Sequence, residues 1–271
     1  MANRNVFFIV IAALGCNLIY SPSHSQTPRQ FKRHVEALLD NIDKAECAYR
    51  NSNDDSAFSI LDRANASLAD YLLTTLPAMP QSLTMKFHDD RMWVTTSPDR
   101  KIRSWAWNTW TGGSMPQIDE LVEYKSSNGI QVVNPFEDRE GGNDTWINEI
   151  KSVSTNTGHT YYLVISGWVG DGMHHGEQAN IYEIENNTLN TKVPLFQTKK
   201  GILNEISYYS ASESDHINRF KLSPDGRTFL VPLAYYKSKA DKENDNVTLT
   251  RKSLKYEFDG EHFVYRGVTK N

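Results

Sequence analysis

Apolar positions recur along this chain at two different periods, and the change of period divides it. Phe31, Val35, Leu38, Ile42, Ala45 and Tyr49 follow one another at steps of three and four, which predicts a helix with one apolar stripe. The polar run at residues 51–56 breaks that stripe and offers Asn, Asp and Ser as N-caps. A second helix is expected to follow, with Ala57, Leu61, Ala64, Leu68 and Leu72 on one face and its end at Pro77. Residues 76–80 then make a short linker. From Ser82 onward the period falls to two. Phe229, Val231, Leu233 and Tyr235 alternate with other residues, as do Leu254, Tyr256 and Phe258, the mark of half-buried strands. Residues 160–165 are continuously apolar or aromatic, as a strand covered on both faces would be.

Turn signals separate these runs: Pro98-Asp99, Asn128-Gly129, Thr157-Gly158, Asn186-Asn187, Asp225-Gly226 and Asp259-Gly260. Roughly a dozen strands joined mainly by hairpins are expected, with the charged residues 237–246 as an exposed hairpin loop. Ser223-Pro224-Asp225-Gly226-Arg227 resembles the inner hairpin turn of a β-propeller blade, and Ser97-Pro98-Asp99-Arg100-Lys101 is a second copy with Arg in place of Gly. Pro presets φ, Asp bonds its own backbone and Gly takes the positive-φ position. The resemblance implies blades of ~40–50 residues, for which the β region has room about four times. A curved, meandering antiparallel sheet with the helices on one side fits the pattern equally. The expected class is therefore mainly β, with antiparallel meandering sheets and an N-terminal helical hairpin. Residues 26–80 form the hairpin and 81–271 the β domain.

Composition adds an address. Arg4 followed by the apolar run 6–14 is too short to span a bilayer, which takes ~20 residues. Ser23-His24-Ser25 supplies small residues for cleavage before Gln26, so residues 1–25 read as a signal peptide. Ala13-Leu14-Gly15-Cys16 also resembles a bacterial lipobox, with Ala where Leu is usual, and would leave an acylated Cys16 as the anchor. By either route Cys47 has no disulfide partner, and the fold must hold by packing. Without Arg4 the chain carries 28 basic and 33 acidic residues, a net charge of −5, and shows no basic face for nucleic acid. No second segment is long enough to span a membrane. The expected location is the periplasm, the cell surface or the medium. The stretch Trp105-Ala106-Trp107-Asn108-Thr109-Trp110-Thr111-Gly112-Gly113-Ser114-Met115 resembles one in uncharacterised secreted proteins of Bacteroidota-type bacteria, which implies the same envelope address and no activity.

Three clusters carry candidate chemistry. A glycine-rich segment at residues 168–177, read as a loop after a buried strand, holds Asp171, His174, His175 and Glu177. Flexible glycines would let the two imidazoles converge, and a zinc-like ion could bind with one position open to water. Glu177 would then be a general base in a metal-dependent hydrolase. Residues 137–144 hold carboxylates beside glycines, a composition that suits calcium without the spacing of a known loop. Trp105, Trp107 and Trp110 cluster with Trp93 around one hairpin. Trp105 and Trp107 share a sheet face, so they form either a platform for a ligand or a surface for the helices to cover. Nucleophile elbows, His-Glu-x-x-His and Ser-x-x-Lys signatures are missing from the sequence. The favoured expectation is an exported, non-catalytic binding module without a cofactor. Trp105, Trp107 and Trp110 would contact a glycan, peptide or envelope protein. A metal-dependent hydrolase and a structural or inhibitory envelope protein are the alternatives.

Overall fold

The computed structural model describes residues 26–52, 54–112, 116–136, 144–170, 174–211, 219–243 and 247–270. Residues 1–25, expected above to be a signal peptide, lie outside them. Two helices come first, α1 (Pro28–Ser52) and α2 (Asp55–Thr75). Asp54 caps α2 by accepting a 2.8 Å hydrogen bond from the Ser56 amide. Pro77 ends it in a 3-10 turn, Leu76–Ala78, and a second such turn spans Ser82–Thr84. The buried stripe of α1 runs Phe31, Val35, Leu39, Ile42 and Ala45, so Leu39 takes the place expected for Leu38. On α2 the buried line includes Asn65 where Ala64 was expected.

Fifteen strands follow and form three antiparallel-dominated sheets. The first is the four-stranded meander β1 (Met92–Thr96), β2 (Ile102–Asn108), β3 (Ile118–Ser126) and β4 (Gly129–Val133). The second is five-stranded. It contains β5 (Thr145–Ser154), β6 (Thr160–Val169), β7 (His174–Glu185), the short β8 (Thr188–Asn190) paired to β7, and, later in the chain, β11. Between them in sequence come β9 (Phe196–Thr198) and β10 (Gly201–Leu203), then β11 (Glu205–Ala211) itself. The third sheet joins β9 and β10 to β12 (Lys221–Leu222), β13 (Thr228–Tyr235), β14 (Thr248–Phe258) and β15 (Phe263–Lys270) in the order β10-β9-β15-β14-β13-β12. Among the described residues only β15 and β9 pair in parallel. The charged segment between β13 and β14 carries a short helix, α3 (Lys239–Glu243).

The layers stack face on face. Leu39, Leu61 and Leu72 of the helices meet Trp105, Trp107 and Leu121 on one side of the first sheet. The other side of that sheet, with Ile102 and Val122, packs on Ile150, Tyr162 and Val164 of the second. The second sheet's far face, with Leu163, Ile165 and Ile181, packs on Phe229, Tyr256 and Phe263 of the third. The strand expected to be covered on both faces is β6, which lies inside the second sheet between β5 and β7. Burying side chains of this size contributes about 1.5–3 kcal/mol each before entropy is counted. No sheet closes into a barrel. Among the described residues no helix is long and apolar enough to cross a membrane.

One turn is built three times, once in each sheet: between β1 and β2, between β5 and β6, and between β12 and β13. In each, the amide of the fourth residue returns to the first carbonyl: Arg100 to Ser97 at 2.9 Å, Gly158 to Thr155 at 3.1 Å, Gly226 to Ser223 at 2.9 Å. The first residue's hydroxyl then accepts an amide at or just before the start of the next strand, that of Ile102, His159 or Thr228, at 2.9–3.0 Å. The fourth residue is left-handed in all three, with φ of 58°, 85° and 70°. At Gly226 a Cβ would also lie 2.6 Å from Lys151 Cβ, so only glycine fits there without displacing the second sheet.

Candidate functional site

The tryptophans do not form a platform. Trp105 and Trp107 are 0 % and 1 % exposed, beneath the helical hairpin. Phe31 of α1 and Phe87 meet the Trp105 ring edge-on at 5.8 and 5.2 Å. The indole N–H of Trp105 donates to Glu123 Oε1 at 3.2 Å, and that of Trp107 to Asn65 Oδ1 at 3.1 Å. The binding role expected of these two side chains is corrected to a core role, because the stripes of α1 and α2 have no other apolar surface to cover. Trp110 is the exception. It is 42 % exposed, in a left-handed conformation (φ 61°), with the Arg50 guanidinium 5.4 Å above its ring.

The metal loop is also rearranged. Asp171 and the side chain of His174 lie outside the described residues. His174, His175 and Glu177 belong to β7, which is paired on one side with β6 and on the other with β11. The described part of the expected loop is therefore strand from residue 174 onward. His175 and Glu177 do share a face. Among the described residues no three His, Cys, Asp or Glu side chains stand close enough to hold a metal ion. Of the second acidic cluster, residues 137–143 lie outside the described residues. Cys47 is exposed on α1, within 3.5 Å of the Asn51 amide nitrogen.

Glu177 has a different environment from the one expected. It is 5 % exposed, and its Oε2 accepts the backbone N–H of Phe220. Burial pushes its carboxyl up to about 7, against the Phe220 hydrogen bond and the nearby Arg219 charge. Tyr208 stands directly across from it on β11, and burial raises that phenol as well. These two residues sit beside a feature that the sequence analysis missed. Beside β11, β13 and β14, a cleft of about 520 Å³ opens between the second and third sheets. Tyr208, Tyr209, Tyr235, Tyr236 and Tyr256 line it, with Ile206, Val231 and Leu254. The hydroxyls of Tyr209 and Tyr236 hydrogen-bond across it.

The cleft has a floor and a rim. Tyr256 is buried and stacks on Phe229 at 5.0 Å, whereas Tyr235 is 48 % and Leu203 45 % exposed. Gly176 positions one wall. The Trp168 indole lies across it so closely that a Cβ would be 2.4 Å from the ring, and Trp168 in turn meets Tyr209 at 6.3 Å. The available signal was the spacing of Tyr208-Tyr209 and Tyr235-Tyr236, but nothing in the sequence says that the two pairs face each other across two sheets. A lining of aromatic and aliphatic side chains with a few hydroxyls suits apolar side chains of a ligand with polar groups at fixed places. The chain matches no protein-family model, no curated protein and no solved structure.

Proposed function

We propose that this chain is an exported, non-catalytic binding module of the cell envelope, and that its ligand is a peptide segment of another envelope protein, seated in the tyrosine cleft between the second and third sheets. The observation that carries the reading is the cleft itself: five tyrosines and an aliphatic floor in an open concavity of about 520 Å³. Its volume is in the range typical of ligand sites. Tyrosine supplies rigid contact area at low entropic cost. The lining holds few of the amide and carboxylate groups that a sugar's hydroxyls would need, which favours a peptide over a glycan. The export pattern of residues 1–25 supports the envelope address.

The test is to present the purified chain to immobilised peptide and glycan libraries, with Tyr235→Ala in parallel. Peptides bearing apolar side chains should be retained, and the variant should bind them about tenfold more weakly with its thermal midpoint unchanged. Retention on glycans alone, or equal binding by the variant, would overturn the reading. Elemental analysis is the complementary check. Stoichiometric zinc that disappears in His174→Ala would replace a binding module with the metal-dependent hydrolase.

A further inference from the structure

The third sheet contains an irregularity beside the cleft. β13 and β14 run in register from Thr228 opposite Glu257 to Pro232 opposite Ser253, then resume with Ala234 opposite Leu249. Leu233 alone therefore faces Thr250, Arg251 and Lys252. A bulge of this kind re-aims side chains that would otherwise alternate between faces. Thr250 holds it closed: its hydroxyl accepts the Lys252 amide at 3.0 Å and lies 3.2 Å from the Lys252 carbonyl oxygen. On the neighbouring strand Lys270 stands directly opposite Lys252. The result is a concavity of about 730 Å³ lined by Leu233, Tyr235, Thr250, Arg251, Lys252 and Lys270.

Like charges directly opposite in a sheet are destabilising unless something neutralises them. Farther along the same two strands the cations are matched, with Lys255 and Arg266 both paired to Glu257. Among the described residues no carboxylate lines the concavity, and Arg251, Lys252 and Lys270 have no ion-pair partner. Three exposed cations are thus gathered in one place by a backbone device and left unmatched. Leu233 and Tyr235 line this concavity and the tyrosine cleft alike, so the two are continuous.

The geometry points to an anion-binding site formed by Arg251, Lys252 and Lys270 that takes the carboxylates of an acidic peptide whose apolar side chains occupy the adjoining cleft. The peptide part of this inference rests on the reading of the cleft given above. Arg251 can grip a carboxylate through two parallel N–H bonds, and the lysines add point charges. A peptide is favoured over an anionic polysaccharide because phenolic and aliphatic surface lies beside the cations, which matches a chain carrying both apolar and acidic side chains.

Two labelled probes separate the parts: a short oligo-glutamate peptide, and the same peptide extended by leucines. Binding is followed by fluorescence anisotropy at low and high salt. Both probes should bind, should weaken with salt, and should lose about tenfold or more in affinity in the double variant Lys252→Gln/Lys270→Gln. That variant should melt no lower than the parent. Tyr235→Ala should weaken only the leucine-bearing probe. If oligo-glutamate fails to bind, or binds the double variant equally, the anion site is overturned, while a Tyr235-sensitive gain from the leucines would leave the cleft standing. If oligo-glutamate binds and the leucines add nothing, the cleft reading falls and the anion site survives. Competition by oligogalacturonate as effective as by oligo-glutamate would overturn the peptide assignment. A clear fall in melting temperature in the double variant would show the lysines to be structural, and would overturn the site.

Discussion

Two aromatic-rich seams in this protein invite comparison: the one under the helical hairpin and the one between the second and third sheets. Under the hairpin, Trp105 and Trp107 are fully covered and each indole N–H ends on a named acceptor inside the fold. Between the sheets, the tyrosines run from a buried floor at Tyr256 to an open rim at Tyr235. Both places are rich in aromatic side chains, and what differs is the lid. A helical hairpin with an apolar stripe has to be covered by something, and the nearest aromatic face is used up in doing so. The cleft beside β11 has no such lid among the described residues, and Tyr235 at its rim stays 48 % exposed.

The largest effect should come from the covered seam. Trp105→Ala removes a fully buried indole, the N–H that Glu123 accepts, and the ring over which the Arg103 guanidinium lies at 5.5 Å. Urea unfolding should show a loss of about 3–5 kcal/mol. A loss below about 1 kcal/mol would mean that the hairpin is not seated on this face, and the contrast between the two seams would collapse.

Each seam also buries a carboxyl whose proton is retained in the fold, and this gives the next largest effect. Burial holds Glu123 up to about 6, although the Arg103 side chain, Nε 3.9 Å away, favours its charge. Burial likewise lowers Arg103 from its usual value, so for both members desolvation outweighs their attraction. Glu177, at the cleft, is held higher still, at about 7. The ordinary value is 4.5 for both. The unfolded chain therefore releases these protons near 4.5 while the folded chain keeps them. Stability should be full below that pH, fall as pH rises, and level off above 7. Glu177, held higher, carries the later part of that fall. Glu177→Gln should remove the slope there and add about 2–3 kcal/mol at pH 8. Glu123→Gln should flatten only the lower part, so chemical denaturation from pH 4 to 8 assigns each portion to its seam.

Asn65 is smaller in effect and specific to the covered seam. Its amide donates to the Leu61 and Thr109 carbonyls at 3.0 and 2.9 Å and accepts from Trp107. Asn65→Ala leaves a buried indole N–H and a buried carbonyl short of a partner, for about 1–3 kcal/mol. An unchanged melting temperature would show that water enters this seam too.

The fold was legible where the physics is local. Helical stripes, alternating strands and turn residues are decided within a few positions, and they indicated the hairpin, the antiparallel β domain and the Ser-Pro-Asp turns. The third copy of that turn uses Thr155 and Gly158 without Pro, so it read only as a Thr-Gly turn signal. The site was not legible, for reasons of distance. Gly170 and Gly176 made residues 168–177 look like a loop, yet pairing to β6 and β11 extends β7 back to His174. Asn65 carries no local signal of its role because its partners Trp107 and Thr109 lie 42 and 44 positions away in the sequence. The cleft joins Tyr208 to Tyr235 and Tyr256 across two sheets, which no window of sequence contains.

The smallest expected effect on stability is the sharpest test of the open seam. Tyr235 and Tyr256 line the same cleft, so if the cleft were merely an imperfect part of the core, both would behave as core residues. Tyr256 is 4 % exposed and contacts Phe229 and Tyr265 through its ring, so Tyr256→Ala should cost several kcal/mol, in the range of about 3–5 for a buried aromatic. Tyr235 leaves nearly half of its surface to water, 48 %, and Tyr235→Ala should change stability by no more than about 0.5 kcal/mol. Paired unfolding curves decide it. A cost for Tyr235→Ala approaching that of Tyr256→Ala would mean that the rim closes in solution and the cleft is core. A cost near zero leaves an exposed aromatic that folding does not require, which is what a surface kept for a ligand looks like.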